Sequence, residues 1–190
     1  MEEFETFVKQ NIPISSQDWA LFQGIIRERQ VKKNELWLVK DQVCRKLGFV
    51  TSGLLKMYEL RGEKEVIGEF YSKNWFATDY FSFVNQIPSR LFIQALEDST
   101  VLEMSKADVT RLYDQVPLVE RFGRIMAEAA FSRLVLRIDE LHTLSPTERY
   151  QKLLSERPAL LQQVPQYMIA SYIGVTDVGL SKIRARSFKK

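Results

Sequence analysis

At 190 residues, with 45% hydrophobic, 27% charged and 12% aromatic side chains, the chain is long enough for one large domain or two modest ones and too apolar to be disordered. A single cysteine, Cys44, and a single histidine, His142, exclude an internal disulfide, a zinc ribbon, a four-cysteine iron–sulfur site and metal sites built from several histidines. The net charge of +3 is lopsided: residues 1–145 hold 19 Lys+Arg against 21 Asp+Glu, and residues 146–190 hold 8 against 3.

A basic C-terminal segment on a near-neutral body is the outline of a nucleic-acid reader, or of a solvated basic tail; charge alone does not separate them. No run of about 18 apolar residues occurs, so no membrane partner is expected. The acidic start Met1-Glu2-Glu3-Phe4-Glu5 lacks the basic-then-apolar order of a signal peptide, and a reducing cytoplasm is the expected compartment.

The first thirty residues read as helix. Ser15-Ser16-Gln17-Asp18 can cap a segment whose apolar positions Trp19, Leu21, Phe22, Ile25 and Ile26 fall at helical spacing. From about Val31 to Ser105 the texture becomes short β-branched and aromatic runs: Leu36–Val39, Leu47–Leu60, Glu65–Tyr71, Leu91–Leu96 and Thr100–Met104. Arg61-Gly62-Glu63-Lys64 reads as a hairpin turn between two of them. Gly48, Gly53 and Gly68 mark bulges or corners. Many short strands so spaced predict a small barrel or roll.

Ser105-Lys106-Ala107-Asp108 starts a short helix through Leu112 and Tyr113, and Pro117 opens a long one that runs to about Thr143. At ~1.5 Å per residue that helix exceeds the reach of one small roll. Leu118, Phe122, Ile125, Ala129 and Leu136 form one apolar stripe; Val119, Met126, Ala130, Leu134, Ile138 and Leu141 form another. A helix apolar on two sides has two partners to satisfy, the roll and a second copy of itself, unless it is buried within one chain. The dimer seam is assigned to Leu118, Phe122, Ile125, Met126, Ala129 and Leu136. Ser145-Pro146-Thr147 then interrupts the helix and is the expected boundary, followed by helical Glu148–Ser155 and Pro158–Gln163. The expected domains are 1–116, 117–144 and 145–190.

Residues 166–185 fit a helix-turn-helix, two helices crossing steeply over a short turn. Ala170 is small where the helices cross, Gly174 ends the first helix, and Thr176 can cap the second. Ile169, Ile173, Val175, Leu180 and Ile183 close the core between them. The bland alternative is an ordinary helical hairpin. The recognition helix is then Thr176–Phe188, with Asp177, Val178, Gly179, Ser181 and Lys182 at base edges. Lys182 suits guanine acceptors or a phosphate, Asp177 cytosine N4, and Val178 a thymine methyl. Gly179 is expected to permit close backbone approach. Gln166, Tyr167, Arg184 and Arg186 are placed for phosphates.

Over about residues 14–188 the chain resembles the Crp/Fnr family of bacterial transcription regulators. The pieces that carry the resemblance are Leu47-Gly48-Phe49-Val50-Thr51-Ser52-Gly53-Leu54-Leu55-Lys56-Met57-Tyr58, similar to the roll's Gly-containing strand pair, and Ile169–Arg184. The fold class it implies is α+β: an N-terminal cyclic-nucleotide-binding-like β-roll, a long dimerisation helix and a C-terminal winged-helix-like helix-turn-helix domain. It implies a homodimer, a palindromic double-stranded DNA site, RNA polymerase as a further partner, and often a small effector in the roll.

The effector cassette departs from that pattern. Cyclic-nucleotide-binding members hold the phosphate with a Gly-Glu pair and a later Arg followed by a small polar residue. Here those places fall on Ala77 and Thr78, and on Pro88-Ser89-Arg90-Leu91, with Ser89 at the arginine position and Arg90 displaced by one. A one-residue shift in a strand turns a side chain to the opposite face. Cyclic AMP in the family's usual mode is not expected, no cofactor is expected, and the effector is unknown. Of the family's Arg-Glu and later Arg on the recognition helix, the matching Asp177, Val178 and Lys182 keep only the last charge.

Trp75, Phe76, Tyr80, Phe81 and Phe83 crowd the cassette and point to an aromatic-filled core rather than an apolar effector pocket. Cys44, beside Arg45 and Lys46, reads as a half-buried strand cysteine rather than a redox sensor. His142 has reason enough to sit at a helix C-terminus. No nucleophile motif or phosphate loop occurs, so no catalytic residue, no metal and no enzyme activity is expected. The other reading left open is an effector- or partner-binding dimer whose C-terminal domain binds DNA non-specifically or not at all.

Overall fold

The computed structural model describes residues 1–187, so Phe188 and the basic Lys189 and Lys190 lie outside the described residues. Two helices, α1 (Glu2–Asn11) and α2 (Ser16–Gly24), open the chain. Eight strands follow: β1 (Ile26–Val31), β2 (Leu36–Leu38), β3 (Lys46–Ser52), β4 (Leu55–Arg61), β5 (Lys64–Tyr71), β6 (Phe76–Ala77), β7 (Phe92–Ala95) and β8 (Ser99–Ser105). A short α3 (Tyr80–Asn85) separates β6 from β7. The strands form two four-stranded sheets, ordered β1-β8-β3-β6 and β2-β7-β4-β5. Gly62, first of two turn residues between β4 and β5, sits at φ 63°, the sign a primed hairpin turn needs.

Helix continues with α4 (Lys106–Gln115), the long α5 (Pro117–Thr143), α6 (Pro146–Glu156), α7 (Pro158–Gln163), α8 (Gln166–Ile173) and α9 (Asp177–Ser187). Serine caps begin three of the helices: Ser15, Ser105 and Ser145 each accept the backbone N–H three residues on. Ser145 adds a full capping box with Glu148. After Leu144 the described residues form helices only, so strands that would make a wing are not among them.

The chain divides into two compact units. One comprises Met1–Glu59 and Glu69–Ala127, the other Leu60–Gly68 and the chain from Glu128 onward. In the first, alternation along the strands feeds two cores. Val50 and Val101 join Trp37, Leu55, Ile93 and Phe83 inside the roll. Their neighbours Phe49 and Leu102 face the other way, against Phe4, Trp19 and Phe22 of α1 and α2, Leu112 of α4, and Val119 and Phe122 of α5. The β3–β8 layer is thus apolar on both sides.

Three expectations are corrected. Ile25 and Ile26 do not continue the helix, because α2 stops at Gly24 and Ile26 begins β1, paired with Met104 of β8. The run Leu47–Leu60 is two strands, broken at Gly53 with φ 89°. Cys44 is fully buried in a loop rather than half-buried in a strand, its thiol bonded to the Lys46 carbonyl at 3.4 Å.

Candidate nucleic-acid interface and effector cassette

In the second unit, the segment singled out in the sequence folds as two short helices across a three-residue turn. Gly174 closes α8 in the left-handed region, φ 73° and ψ 41°, where a side chain would be strained. Val175 N–H reaches back to the Ala170 carbonyl at 2.9 Å, and Leu180 N–H to Thr176 at 2.9 Å. Ala170 is fully buried at the crossing, and Ile169, Ile173, Leu180 and Ile183 are buried around it, with Val175 half-buried. Thr176 caps α9: its hydroxyl accepts the Gly179 N–H at 3.1 Å.

That cap gives Gly179 a role within the chain. A Cβ there would stand 3.2 Å from the Thr176 hydroxyl, crowding the cap. Asp177, Val178, Ser181, Lys182 and Arg186 are exposed on α9, and Arg184 is half-buried. Gln166 and Tyr167 are exposed at the start of α8. Burial first, and then the Glu65 carboxylate, raises the Tyr167 phenol above its ordinary value. The residues expected to meet DNA therefore gather at the starts of α8 and α9 and along the open side of α9, with one acid, Asp177, at the head of the second helix.

The cassette residues are brought together in the first unit, but as an internally satisfied knot. Ala77 is fully buried, paired with Gly48 across β6 and β3. The Thr78 hydroxyl donates to the Lys46 carbonyl at 3.3 Å, and its own carbonyl accepts the Tyr71 hydroxyl at 3.2 Å. Tyr71 lies inside the roll, and burial drives its phenol far above the ordinary range. Ser89, 1% exposed, donates to the Asp79 carboxylate at 2.7 Å. The other Asp79 oxygen caps α3 by accepting the Ser82 N–H at 3.2 Å. Arg90 turns away: its side chain is 84% exposed and pairs with Glu59 at 3.7 Å.

A cyclic phosphate needs donors converging on it and a cation nearby. Here the central group is itself an acceptor, the buried Asp79 carboxyl already occupied by Ser89 and the Ser82 N–H, and Arg90 points out to Glu59. Among the described residues no buried side-chain nitrogen or oxygen lacks a hydrogen-bond partner. The residues present do not fit a cyclic nucleotide. Of the crowding aromatics, Phe76 packs on Phe49 at 5.1 Å and Phe83 is buried in the roll, whereas Tyr80 and Phe81 are exposed on α3.

The long helix divides its predicted seam. Phe122 is 3% exposed and packed in the monomer's own core, so it is withdrawn from the seam. Leu118, Ile125 and Met126 are half-buried against that same core. Ala129 and Leu136 are exposed. The exposed apolar residues at heptad spacing are Phe131, Leu134, Ile138 and Leu141, flanked by Val135. At 100° per residue, Leu118, Ile125, Ala129 and Leu136 lie roughly 140–180° away from Leu134 around the helix. The seam assigned from the first stripe is therefore largely inward-facing, and the exposed apolar row belongs to the second stripe. Phe131 and Val135 extend that exposed row beyond the two stripes read from the sequence, and their 3-4 spacing with Leu134 and Ile138 was the available signal.

Residues 28–116 match the cyclic nucleotide-binding domain family. No curated protein matches the chain. Among solved structures the chain is similar to FixK2 from Bradyrhizobium japonicum, with a TM-score of 0.75 and 16% identity over 87% of this chain and 85% of that one. It is similar to a CooA mutant from Carboxydothermus hydrogenoformans, with a TM-score of 0.68 and 19% identity over 90% and 79%. It is also similar to CLP, a c-di-GMP responsive global regulator from Xanthomonas campestris, with a TM-score of 0.69 and 15% identity over 92% of each. At these identities the likeness is one of fold.

Proposed function

We propose that this chain, which carries a cyclic nucleotide-binding domain over residues 28–116 and has the fold of the Crp/Fnr transcription regulators, is a homodimeric DNA-binding regulator that does not take cyclic AMP in its roll. The observation that carries the reading is the turn at Gly174 with its Thr176 cap, which presents α9 over a closed small core. A second copy covers the heptad seam of α5, so that two recognition helices meet a two-fold symmetric site. Lys182 and Ser181 read base edges, Arg186 and Tyr167 fix register on phosphates, and Val178 favours a thymine methyl. The protein works in the cytoplasm and performs no catalytic step.

In vitro selection with purified protein at low salt tests this. It should return a palindrome with half-sites about one helical turn apart, roughly 34–36 Å. Lys182→Ala should relax preference at one base pair if it reads a base, and weaken all sequences equally if it holds a phosphate. Salt-sensitive, sequence-blind binding would instead favour the dimer whose C-terminal domain does not discriminate. Cyclic AMP and cyclic GMP at millimolar concentration should leave both the melting temperature and the selected affinity unchanged; a rise in either would overturn the reading of the cassette.

A further inference from the structure

The helix-turn-helix is tied to the C-terminal half of α5 by two arginines that no base or phosphate contact accounts for. Arg149 of α6 donates from Nε to the Ile173 carbonyl at 2.8 Å. From Nη1 it donates to the Leu144 carbonyl at 2.7 Å and to Leu141 at 3.3 Å. One guanidinium therefore meets the last carbonyls of two helices, α5 and α8, which have no partners within their own helices. Arg137 of α5 donates to the Tyr172 carbonyl and lies 4.3 Å from the centre of the Tyr172 ring. Gly174 follows directly; a Cβ on it would meet Leu141 at 3.6 Å and Arg149 at 3.9 Å. On the same stretch, Glu140 binds Lys152 of α6 at 2.7 Å.

We infer that Arg137 and Arg149 are positioning residues that lock the helix-turn-helix onto the second half of α5, so that half-site spacing is set by the paired helices before DNA is met. The spacing part of this inference rests on the reading of α5 as the dimer helix and α9 as the DNA reader. The physical reason for arginine is its planar fork of five donors, which spans three carbonyls on two helices; a lysine ammonium is a point charge on a flexible stem. Positive charge at two helix C-termini also opposes their negative dipole ends. The junction at Ser145, an obvious place for a hinge, is therefore bridged from both sides. Its two flanking helices are held by Arg149 and by the Glu140–Lys152 pair.

Spin labels at Ser132→Cys on α5 and Ala185→Cys on α9 test the lock within one chain, with the labelled protein diluted into unlabelled protein and DNA absent. Cys44 is buried and does not compete for label. The unaltered clamp should give one narrow distance distribution. Arg149→Ala and Arg149→Lys should both broaden it at least about twofold, because neither can span three carbonyls. Arg137→Gln, which keeps a donor but not the stacked cation, is the milder second variant should Arg149→Ala fail to fold. A broad distribution in the starting protein, or a narrow one in every folded variant, overturns the lock.

The second arm uses the selected half-sites at spacings changed one base pair at a time. The starting protein should lose about tenfold in affinity per step away from its optimum, and Arg149→Lys should flatten that profile while keeping its preference for the half-site sequence. An unchanged profile overturns the control of spacing. A protein that selects no DNA sequence removes the DNA reading, while the distances within one chain still decide the lock.

Discussion

The two halves of α5 are one continuous helix with opposite solutions to the same problem. Pro117–Ala127 buries Val119 and Phe122 in the core of its own chain, against rings from α1, α2 and β6. Glu128–Thr143 leaves Phe131 67% and Leu134 57% exposed, and carries Ile138 and Leu141 on the same exposed side. The flank of that second half is polar and occupied: Arg137 and Glu140 face partners in α8 and α6. The first half is held by hydrophobic burial inside the monomer. The second combines ionic and carbonyl bonds on its flank with an exposed apolar row at heptad spacing, the proposed seam. The lesson is that an apolar stripe on a long helix has to be read turn by turn.

The sharpest way to break the contrast is to charge the seam. Leu134→Asp with Ile138→Asp puts two carboxylates on the exposed apolar row proposed as the seam between two copies. Sedimentation should then report the monomer, 22.2 kDa, in place of a dimer of twice that mass. Affinity for the full palindrome should fall by about a hundredfold or more, since losing the second half-site forfeits the gain of an intramolecular second contact. Melting of the roll should change little. A dimer that survives both substitutions would remove the seam reading.

The first half predicts a different signature. Phe122→Ala opens a cavity amid Phe7, Phe22 and Phe76, whose ring centroids lie 6.1, 6.2 and 6.3 Å away. Such truncations cost about 3–5 kcal/mol. The loss should appear in denaturant unfolding of the roll, and it should not depend on protein concentration. On the proposed dimer reading, a variant such as Leu134→Ala should instead lower stability in a way that dilution exaggerates, because only a partner would bury that side chain. Equal concentration dependence for the two would erase the distinction between the halves.

How far these features were legible in the sequence follows from how locally they are determined. The helix-turn-helix was legible because its signals lie within twenty residues: small Ala170, Gly174 at a left-handed turn, and Thr176 as a cap. The Ser-x-x-Asp starts at Ser15 and Ser105 were legible for the same reason, whereas Ser145 was read only as a break before a helix at Glu148 and is in fact the cap of one that begins at Pro146. β1 was not, because Ile26-Arg-Glu-Arg-Gln-Val31 buries only its two ends and takes its partners from β8, 68 to 78 residues away. β3 hid its alternation because Phe49 and Val50 are both buried, one in each core.

The cassette was half legible. Departures at Ala77, Thr78 and Ser89 could be read, but Asp79 stood outside the expected pattern, and only the fold brings its carboxylate to Ser89. Arg137 and Arg149 carried no motif at all. Their partners are carbonyls, which a sequence does not display.

The smallest expected effect lies where the second half of α5 ends. Ser145 caps α6 with its hydroxyl, and Glu148 returns the bond to the Ser145 N–H at 2.8 Å. The Ser145 hydroxyl first, and its backbone N–H second, holds the Glu148 carboxyl below its ordinary range. A carboxyl lowered in the folded state adds stability that is complete above the unfolded value and is lost as pH falls through the folded one. Ser145→Ala removes the hydroxyl that accepts the Glu148 N–H and keeps the backbone N–H that binds the Glu148 carboxylate, and it should cost about 1 kcal/mol at neutral pH. Because the remaining Glu148 interaction is weaker, the gap between the two proteins should narrow on acidification through the carboxylate range. Urea midpoints of both proteins across that range measure the gap. A gap independent of pH would mean that the Ser145 hydroxyl does not act on the Glu148 carboxylate, leaving that carboxylate held by the backbone N–H alone.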